Sequence, residues 1–264
     1  IMKFNKINSV QNIKIKSVLK LYKPSERIKK SLMIIEGFRE ITRSLNANCE
    51  LKEIFFCSFY ANDKIIDFIK SSDSSIYECS KKVFDKISYR QNPEGILAIT
   101  NIIRRKINDL EIQSKSIFLV IENIEKPGNL GNIIRTSDAA GVNGIILLNN
   151  KTEINNPNVI RSSIGSFFSI PIINTDINTF FDWANNNNIK TFATSPQAST
   201  RYTDVNLNQS LAIIFGSENK GLSNKVINLS NNTISIPMLG QNDSLNVSSS
   251  ASIILYEALR QKSL

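Results

Sequence analysis

Short apolar runs alternate with segments of helical spacing along the whole chain. In the first hundred residues Ser31 to Ile35, Leu51 to Phe56, Ser75 to Tyr77 and Gly95 to Ile102 read as strands. Residues 11–23 read as a basic helix, and Phe38 to Leu45, Lys64 to Ile69 and Lys81 to Ile87 as further helices. Glu36-Gly37 closes the first of these strands. Such alternation predicts a small α/β domain. Arg104 to Ser114 is charged and lacks aromatics, which marks a linker. The expected boundaries are a first domain over 1–103, a linker over 104–115 and a second domain over 116–264.

The second block has a stronger pattern. Ser116 to Ile121, Gly144 to Leu148 and Leu211 to Phe215 are continuous apolar runs, as strands buried on both faces require. Ile170 to Ile173, Lys190 to Thr194 and Thr233 to Ile236 read as further strands. Pro127 to Asn132 reads as a turn, followed by a helix from Ile133 to Ala140 that Gly141 stops. Pro157 to Ile164 is a candidate helix with Gly165 after it. Asp176 caps a helix to about Asn186, Gly221 to Leu229 is a short helix, and Val247, Ala251, Ile254, Leu255, Ala258 and Leu259 mark the last one. Ser244 or Asn246 can cap that last helix. The whole predicts a mostly parallel sheet covered on both faces.

Composition narrows the chemistry. No run approaches the length of a membrane-spanning helix, so no membrane partner is expected. The start of the chain lacks a signal-peptide apolar region, and Ile1 before Met2 reads as a residue left by cloning. Cys49, Cys57 and Cys79 lack metal spacing and read as buried or idle thiols of a reducing compartment, the cytoplasm. The chain has no histidine, which removes the usual general base and most catalytic zinc sites. The net charge of +9 is uneven: residues 1–113 hold 21 Lys/Arg against 13 Asp/Glu, and residues 114–264 hold 11 against 10. The bias is strongest at the start, where Lys3, Lys6, Lys14, Lys16, Lys20, Lys23, Arg27, Lys29 and Lys30 face only Glu26. A basic module joined to a near-neutral one suggests a nucleic acid gripped by the first and worked on by the second. The plain structural reading of the lysines is a solvated helix face.

Three stretches carry candidate chemistry. Glu122 to Thr136 contains Asn129, Gly131 and Arg135 at the carboxyl end of a strand, where open α/β sheets bind ligands. Ile213 to Leu222 ends a buried strand in Gly216, followed by Ser217, Glu218 and Asn219. Its ordinary reading is a helix cap, with Ser217 or Asn219 as the capping residue. Ser235 to Ser248 crosses Pro237, Met238 and Gly240 into the last helix. Three strand ends with glycine and compact polar groups would form one pocket if their strands were neighbours, and a pocket built largely of backbone suits a nucleotide-like cofactor better than a metal.

These residues carry a resemblance. Asn129-x-Gly131-x-x-x-Arg135-Thr136, Phe215-Gly216-Ser217-Glu218-x-x-Gly221-Leu222-Ser223 and Ile236-Pro237-Met238-x-Gly240-x-x-x-Ser244-Leu245-Asn246-Val247-Ser248-x-x-Ala251 resemble the three ordered motifs of the SpoU (TrmH) branch of the SPOUT RNA methyltransferases. Arg161-Ser162-Ser163-Ile164-Gly165 is similar to a further family segment. Residues 6–101 look like the ribosomal-protein-like substrate-binding domain that these enzymes often carry. Asn219-Lys220 and Ser249-Ser250 depart from the usual pattern, the first in local loop shape and the second toward more polar residues.

The resemblance implies an α/β fold whose parallel-sheet methyltransferase domain is tied in a trefoil knot and follows a small α/β substrate-binding domain. It implies S-adenosyl-L-methionine as cofactor, a homodimer, and methyl transfer to a ribose 2′-hydroxyl in structured RNA, rRNA in preference to tRNA. Carried over residue by residue, Gly216, Ile236 and Leu245, with Ser217, Met238 and Thr194, are expected at the cofactor. Arg135 is the expected main catalytic residue, with Asn129, Glu218, Ser244 and Asn246 arranging the site. A guanidinium hardly deprotonates in a protein, so Arg135 fits an anchor for the adjacent phosphate better than a general base. Two other readings remain open: a non-catalytic RNA-binding or ribosome-assembly factor that keeps the pocket, and a dinucleotide-dependent enzyme built on Asn129-x-Gly131, which lacks the full glycine fingerprint.

Overall fold

The computed structural model describes residues 4–150 and 152–262. Ile1, Met2 and Lys3, on which the reading of the N-terminus and one of the early charges fall, lie outside the described residues. The chain divides into two compact units, residues 1–103 with 153–168, and residues 104–152 with 169–264.

The first unit holds β1 (Asn5–Ile7), α1 (Ile13–Lys20), α2 (Pro24–Lys30), β2 (Leu32–Glu36), α3 (Phe38–Asn46), β3 (Leu51–Phe56), α4 (Asp63–Lys70), β4 (Ser75–Cys79), α5 (Lys81–Ile87) and β5 (Ile96–Asn101). Its sheet runs β1-β4-β3-β5-β2, with β1, β4 and β3 parallel and β5 antiparallel to both β3 and β2. Ile15, Val18, Ile34, Phe55, Val83, Phe84 and Leu97 close the core beside it. Two elements differ from the pattern. The basic helix expected over 11–23 is α1, Ile13–Lys20, and a second helix that the pattern did not predict follows it, opened by Pro24 where a missing N–H costs nothing. β1 was invisible because only Ile7 of its three residues is buried.

The second unit holds β6 (Ile117–Glu122), α6 (Pro127–Ala139), β7 (Gly144–Leu148), β8 (Ile172–Thr175), α8 (Ile177–Asn186), β9 (Lys190–Thr194), β10 (Leu211–Phe215), α9 (Asn224–Leu229), β11 (Asn232–Ile234) and α10 (Val247–Gln261); α7 (Pro157–Ser162) lies between β7 and β8 in chain order. The sheet is parallel throughout, in the order β11-β9-β10-β6-β7-β8. Every residue of β6, β7 and β10 is buried, which explains their unbroken apolar runs. Phe118, Val120, Ile146, Leu148, Ala212 and Ile214 pack with Phe180 and Trp183 of α8. Ile107 and Leu110, in the charged stretch read as a linker, are buried in this same core, and Ile107–Asp109 forms a 3-10 turn.

Pro127 to Asn132 is not a turn but the opening of α6. Pro127 takes a first-turn position, where its fixed φ favours the helix. Short polar residues hid this start, since the spacing becomes apolar only at Leu130. The cap of α9 is Ser223, whose hydroxyl accepts from the Val226 N–H at 3.3 Å, and neither Ser217 nor Asn219 caps it.

Residues 153–168 pack with the first unit through a buried arginine. Arg27 is fully buried, and its Nε donates to Glu153 Oε2 at 2.6 Å. Its Nη1 donates to the carbonyls of Leu21 (2.8 Å) and Tyr22 (3.0 Å). Removing one partner of a buried ion pair leaves an uncompensated charge, so Glu153→Ala should lower the unfolding free energy by about 3 kcal/mol or more, measured by denaturant titration. The thiols give a second check. Burial pushes Cys57 up and Cys79 up to about 12. A thiol reagent at neutral pH should label Cys49 in the native protein and reach Cys57 and Cys79 only after unfolding.

Candidate active site

β9 lies between β10 and β11 in parallel register, so three strands deliver their carboxyl ends side by side. Thr194 ends β9, and its hydroxyl donates to the Ile214 carbonyl at 2.9 Å. β10 ends in Phe215, and Gly216 to Gly221 then fold into a narrow loop. Ser217 N–H donates to the Gly221 carbonyl at 3.2 Å, Gly221 N–H returns to the Ser217 carbonyl at 3.0 Å, and Lys220 N–H donates to Ser217 Oγ at 3.2 Å. Gly221 sits at φ +64°, a left-handed conformation that glycine adopts without strain. A Cβ on Gly216 would lie 2.0 Å from the Gly221 carbonyl carbon, so only glycine lets the loop close.

The third wall follows β11. Ser235 N–H donates to the Thr200 carbonyl at 2.9 Å, and Tyr202 N–H donates to the Ser235 carbonyl at 3.0 Å. From there the chain runs without regular structure to Asn246. Asn246 caps α10, with Oδ1 accepting from the N–H of Ser248 at 2.9 Å and from its hydroxyl at 2.6 Å. Of the two candidate caps it is therefore Asn246 that fills the role. At the far end of α10, the Gln261 side chain accepts from Leu207 N–H at 2.7 Å and donates to the Val205 carbonyl at 3.1 Å.

The three walls enclose a hollow of about 340 Å³. Thr194, Gly216, Ser217, Glu218, Ile236, Met238, Ser244 and Leu245 all line it. Eight of the eleven residues singled out from the sequence thus meet in one place. Arg135 does not join them. It is exposed on α6 and lines a second hollow with Asn132, Thr136, Ser248 and Tyr256. There α6 meets α10, with Thr136 Oγ1 and Ser252 Oγ 3.4 Å apart. Asn129, in the first turns of α6, and Asn246 line neither hollow.

Three charged residues, Lys126, Glu218 and Glu122, brace the loops around the hollow. Lys126, just before α6, pairs with Glu218 at 2.7 Å, and that carboxylate holds the ammonium above the ordinary lysine range. Glu122, buried at the end of β6, accepts from the Ser223 N–H at 2.8 Å and so ties β6 to the cap of α9. Sequence reading passed over Lys126 because its partner lies 92 positions away. It also passed over Ser195, Pro196 and Gln197, which line the hollow after β9 and carry no glycine to mark them.

The lining suits an adenosine-type sulfonium cofactor. Apolar Ile236, Met238 and Leu245 offer faces for a ring, and Leu245 is 41% exposed at the lip. Thr194, Ser217 and Ser244 supply hydroxyls, and Glu218 supplies a carboxylate for a positively charged ligand.

Comparison with known proteins agrees with this geometry. Residues 116–256 match the SpoU rRNA Methylase family model, and residues 12–98 match the model of an MRM3-like substrate binding domain. The chain is 28% identical over 250 residues to the 23S rRNA (guanosine(2553)-2′-O)-methyltransferase RlmP of Bacillus subtilis (strain 168), covering 95% of this chain and 97% of the relative. A crystal structure of an RNA 2′-O ribose methyltransferase superposes with a TM-score of 0.88 at 34% identity, over 98% of this chain and 100% of that one. The AdoMet-bound rRNA methyltransferase from Sinorhizobium meliloti does so with a TM-score of 0.89 at 26% identity, over 97% and 98%.

The Gly216 contact gives a test of the hollow. Gly216→Ala forces Gly216 and Gly221 apart, and such overpacking typically costs 1–3 kcal/mol. Calorimetry should show affinity for S-adenosylmethionine reduced by about tenfold or more.

Proposed function

The chain belongs to the SpoU rRNA methylase family, and from that premise we propose that it transfers a methyl group from S-adenosyl-L-methionine to a ribose 2′-hydroxyl of structured RNA, with rRNA favoured over tRNA. The observation that carries this reading is the convergence of three strand-end loops on one hollow with the lining just described. The cofactor supplies an electrophilic methyl when bound there. Everything else falls to side chains and backbone that hold the acceptor in line.

In this reading Gly216, Ser217, Ile236, Met238, Leu245 and Thr194 hold the cofactor. Glu218, Ser244 and Asn246 shape the mouth, and Asn129 braces the start of α6. Arg135 anchors the phosphate next to the reacting ribose and polarises the 2′-hydroxyl, as a planar fork of donors can. Its separate position favours a homodimer, in which the Arg135 hollow of one copy can face the cofactor hollow of the other. We also read residues 235–261 as the threaded part of a trefoil knot. The bonds from Ser235 to the main chain of Thr200 and Tyr202, and from Gln261 to that of Val205 and Leu207, hold both ends of this segment against one loop and support threading. No helix among the described residues is long and apolar enough to cross a membrane. In this reading the work is done in the cytoplasm, which an rRNA substrate supports.

The direct test is mass-spectrometric mapping of 2′-O-methyl groups on ribosomal and transfer RNA incubated with the protein and cofactor. A new methylated ribose in ribosomal RNA is expected. Cofactor binding without transfer to either RNA would favour a non-catalytic assembly factor. Arg135→Lys keeps the charge and loses the fork. It should lower turnover by about a hundredfold while cofactor affinity stays unchanged. Near-normal turnover in that variant would rule out the bidentate role.

A further inference from the structure

The strands of the first unit's sheet bring several connections to one edge. Glu36 pairs with Leu97, and Phe56 pairs with both Ile96 and Glu78, so the ends of β2, β3 and β4 lie level with the start of β5. Two exposed aromatic rings sit in the connections that leave this edge, and each has a cation beside it.

The first ring is Phe59, after β3, which is 71% exposed. Lys81 Nζ lies 5.4 Å from its centroid and 5.3 Å from that of Tyr60. Phe59 stands edge-on to Tyr60 at 5.1 Å. Asp85 holds the arrangement, accepting from the Tyr60 hydroxyl at 2.6 Å and pairing with Lys81 at 2.9 Å.

The second ring is Tyr89, between α5 and β5, which is 49% exposed. The Arg161 guanidinium carbon lies 5.5 Å from its centroid, and Tyr22 stacks on it at 6.3 Å with planes 19° apart. Arg161 is steadied by Asn158 Oδ1, 2.7 Å from Nη2 and 3.2 Å from Nε. The backbone under Tyr89 is also fixed. Its N–H donates to the buried Glu36 carboxylate at 2.8 Å, and the next residue, Arg90, pairs with buried Glu40 at 2.9 Å.

An exposed ring held rigid by its neighbours has lost its conformational entropy before a ligand arrives. A ring of this kind beside a cation matches an unpaired nucleobase, which stacks on the ring or the guanidinium plane while its phosphate meets the charge. The excess of Lys and Arg over residues 1–113 draws the same polymer. A protein partner would instead call for a contiguous apolar patch, whereas these are separate rings, each beside a cation. We propose that this edge of the first unit binds unpaired nucleotides of the substrate RNA, with one base on Phe59 beside Lys81 and another on the Tyr89–Arg161 stack. The proposal rests on the RNA methyltransferase reading and adds how the substrate is gripped.

The experiment measures fluorescence anisotropy with a short mixed-sequence single-stranded RNA and with the same strand annealed to its complement. Phe59→Ala and Tyr89→Ala should each weaken single-strand binding by about tenfold, with duplex binding and the salt dependence unchanged. Phe59→Trp and Tyr89→Phe should bind as the parent does. Equal losses on duplex and single strand, or no loss on either, overturn the proposal. Photocrosslinking of the unmutated protein to 5-iodouridine RNA reads the same sites without a substitution. Adducts at Phe59 or Tyr89 support the proposal, and adducts confined to other residues overturn it. Unchanged variants alongside normal methyl transfer to ribosomal RNA sink the stacking sites alone, and ring-dependent binding without any methyl transfer sinks the methyltransferase reading alone.

Discussion

β9 pairs in parallel with β10 on one side and β11 on the other, and the hollow exists only because of that pairing. Parallel ladders send every strand end to the same edge, so loops distant in sequence arrive together there. Thr194, Gly216 and Ile236 stand at three such strand ends. Both faces of β6 and β10 are buried, so a slip of one residue would exchange the side chains packed on the two sides of the sheet and upset both packings. The glycine pair at 216 and 221 then lets one loop close tightly beside that edge.

Buried charge does a different task in each unit. In the first, Arg27 gathers two main-chain carbonyls and Glu153, and so joins residues far apart in the chain. In the second, Glu122 receives the N–H that opens α9. Both groups are costly to bury unless their partners are in place, which makes them better markers of a specific arrangement than of net stability. Lys126 and Glu218 form their pair at the surface, where it adds little to stability but sets the charge at the mouth of the hollow.

The elements of the fold were largely legible. Apolar runs gave β6, β7 and β10, and helical spacing gave α3, α5 and α10, because their buried faces follow the period of the backbone. The misses have local causes. β1 buries one side chain of three, so it leaves no pattern. The start of α6 is short and polar, so it imitates a turn. The charged stretch at 104–115 hides Ile107 and Leu110, whose burial depends on a core built elsewhere in the chain.

The sequence by itself determined the three motifs, their order and the chemistry that a chain without histidine can perform. It did so because motif residues must sit at fixed spacing to meet one ligand. Tertiary structure alone decided which of them meet. Thr194, Gly216, Ser217, Glu218, Ile236, Met238, Ser244 and Leu245 share a hollow through strand order, which no local pattern encodes. Arg135 shares a different one, lined by residues of α6 and α10 where the two helices meet. The pairing of Lys126 with Glu218 and the stacking of Arg161 on Tyr89 are likewise long-range, and only the folded chain brings those partners within reach.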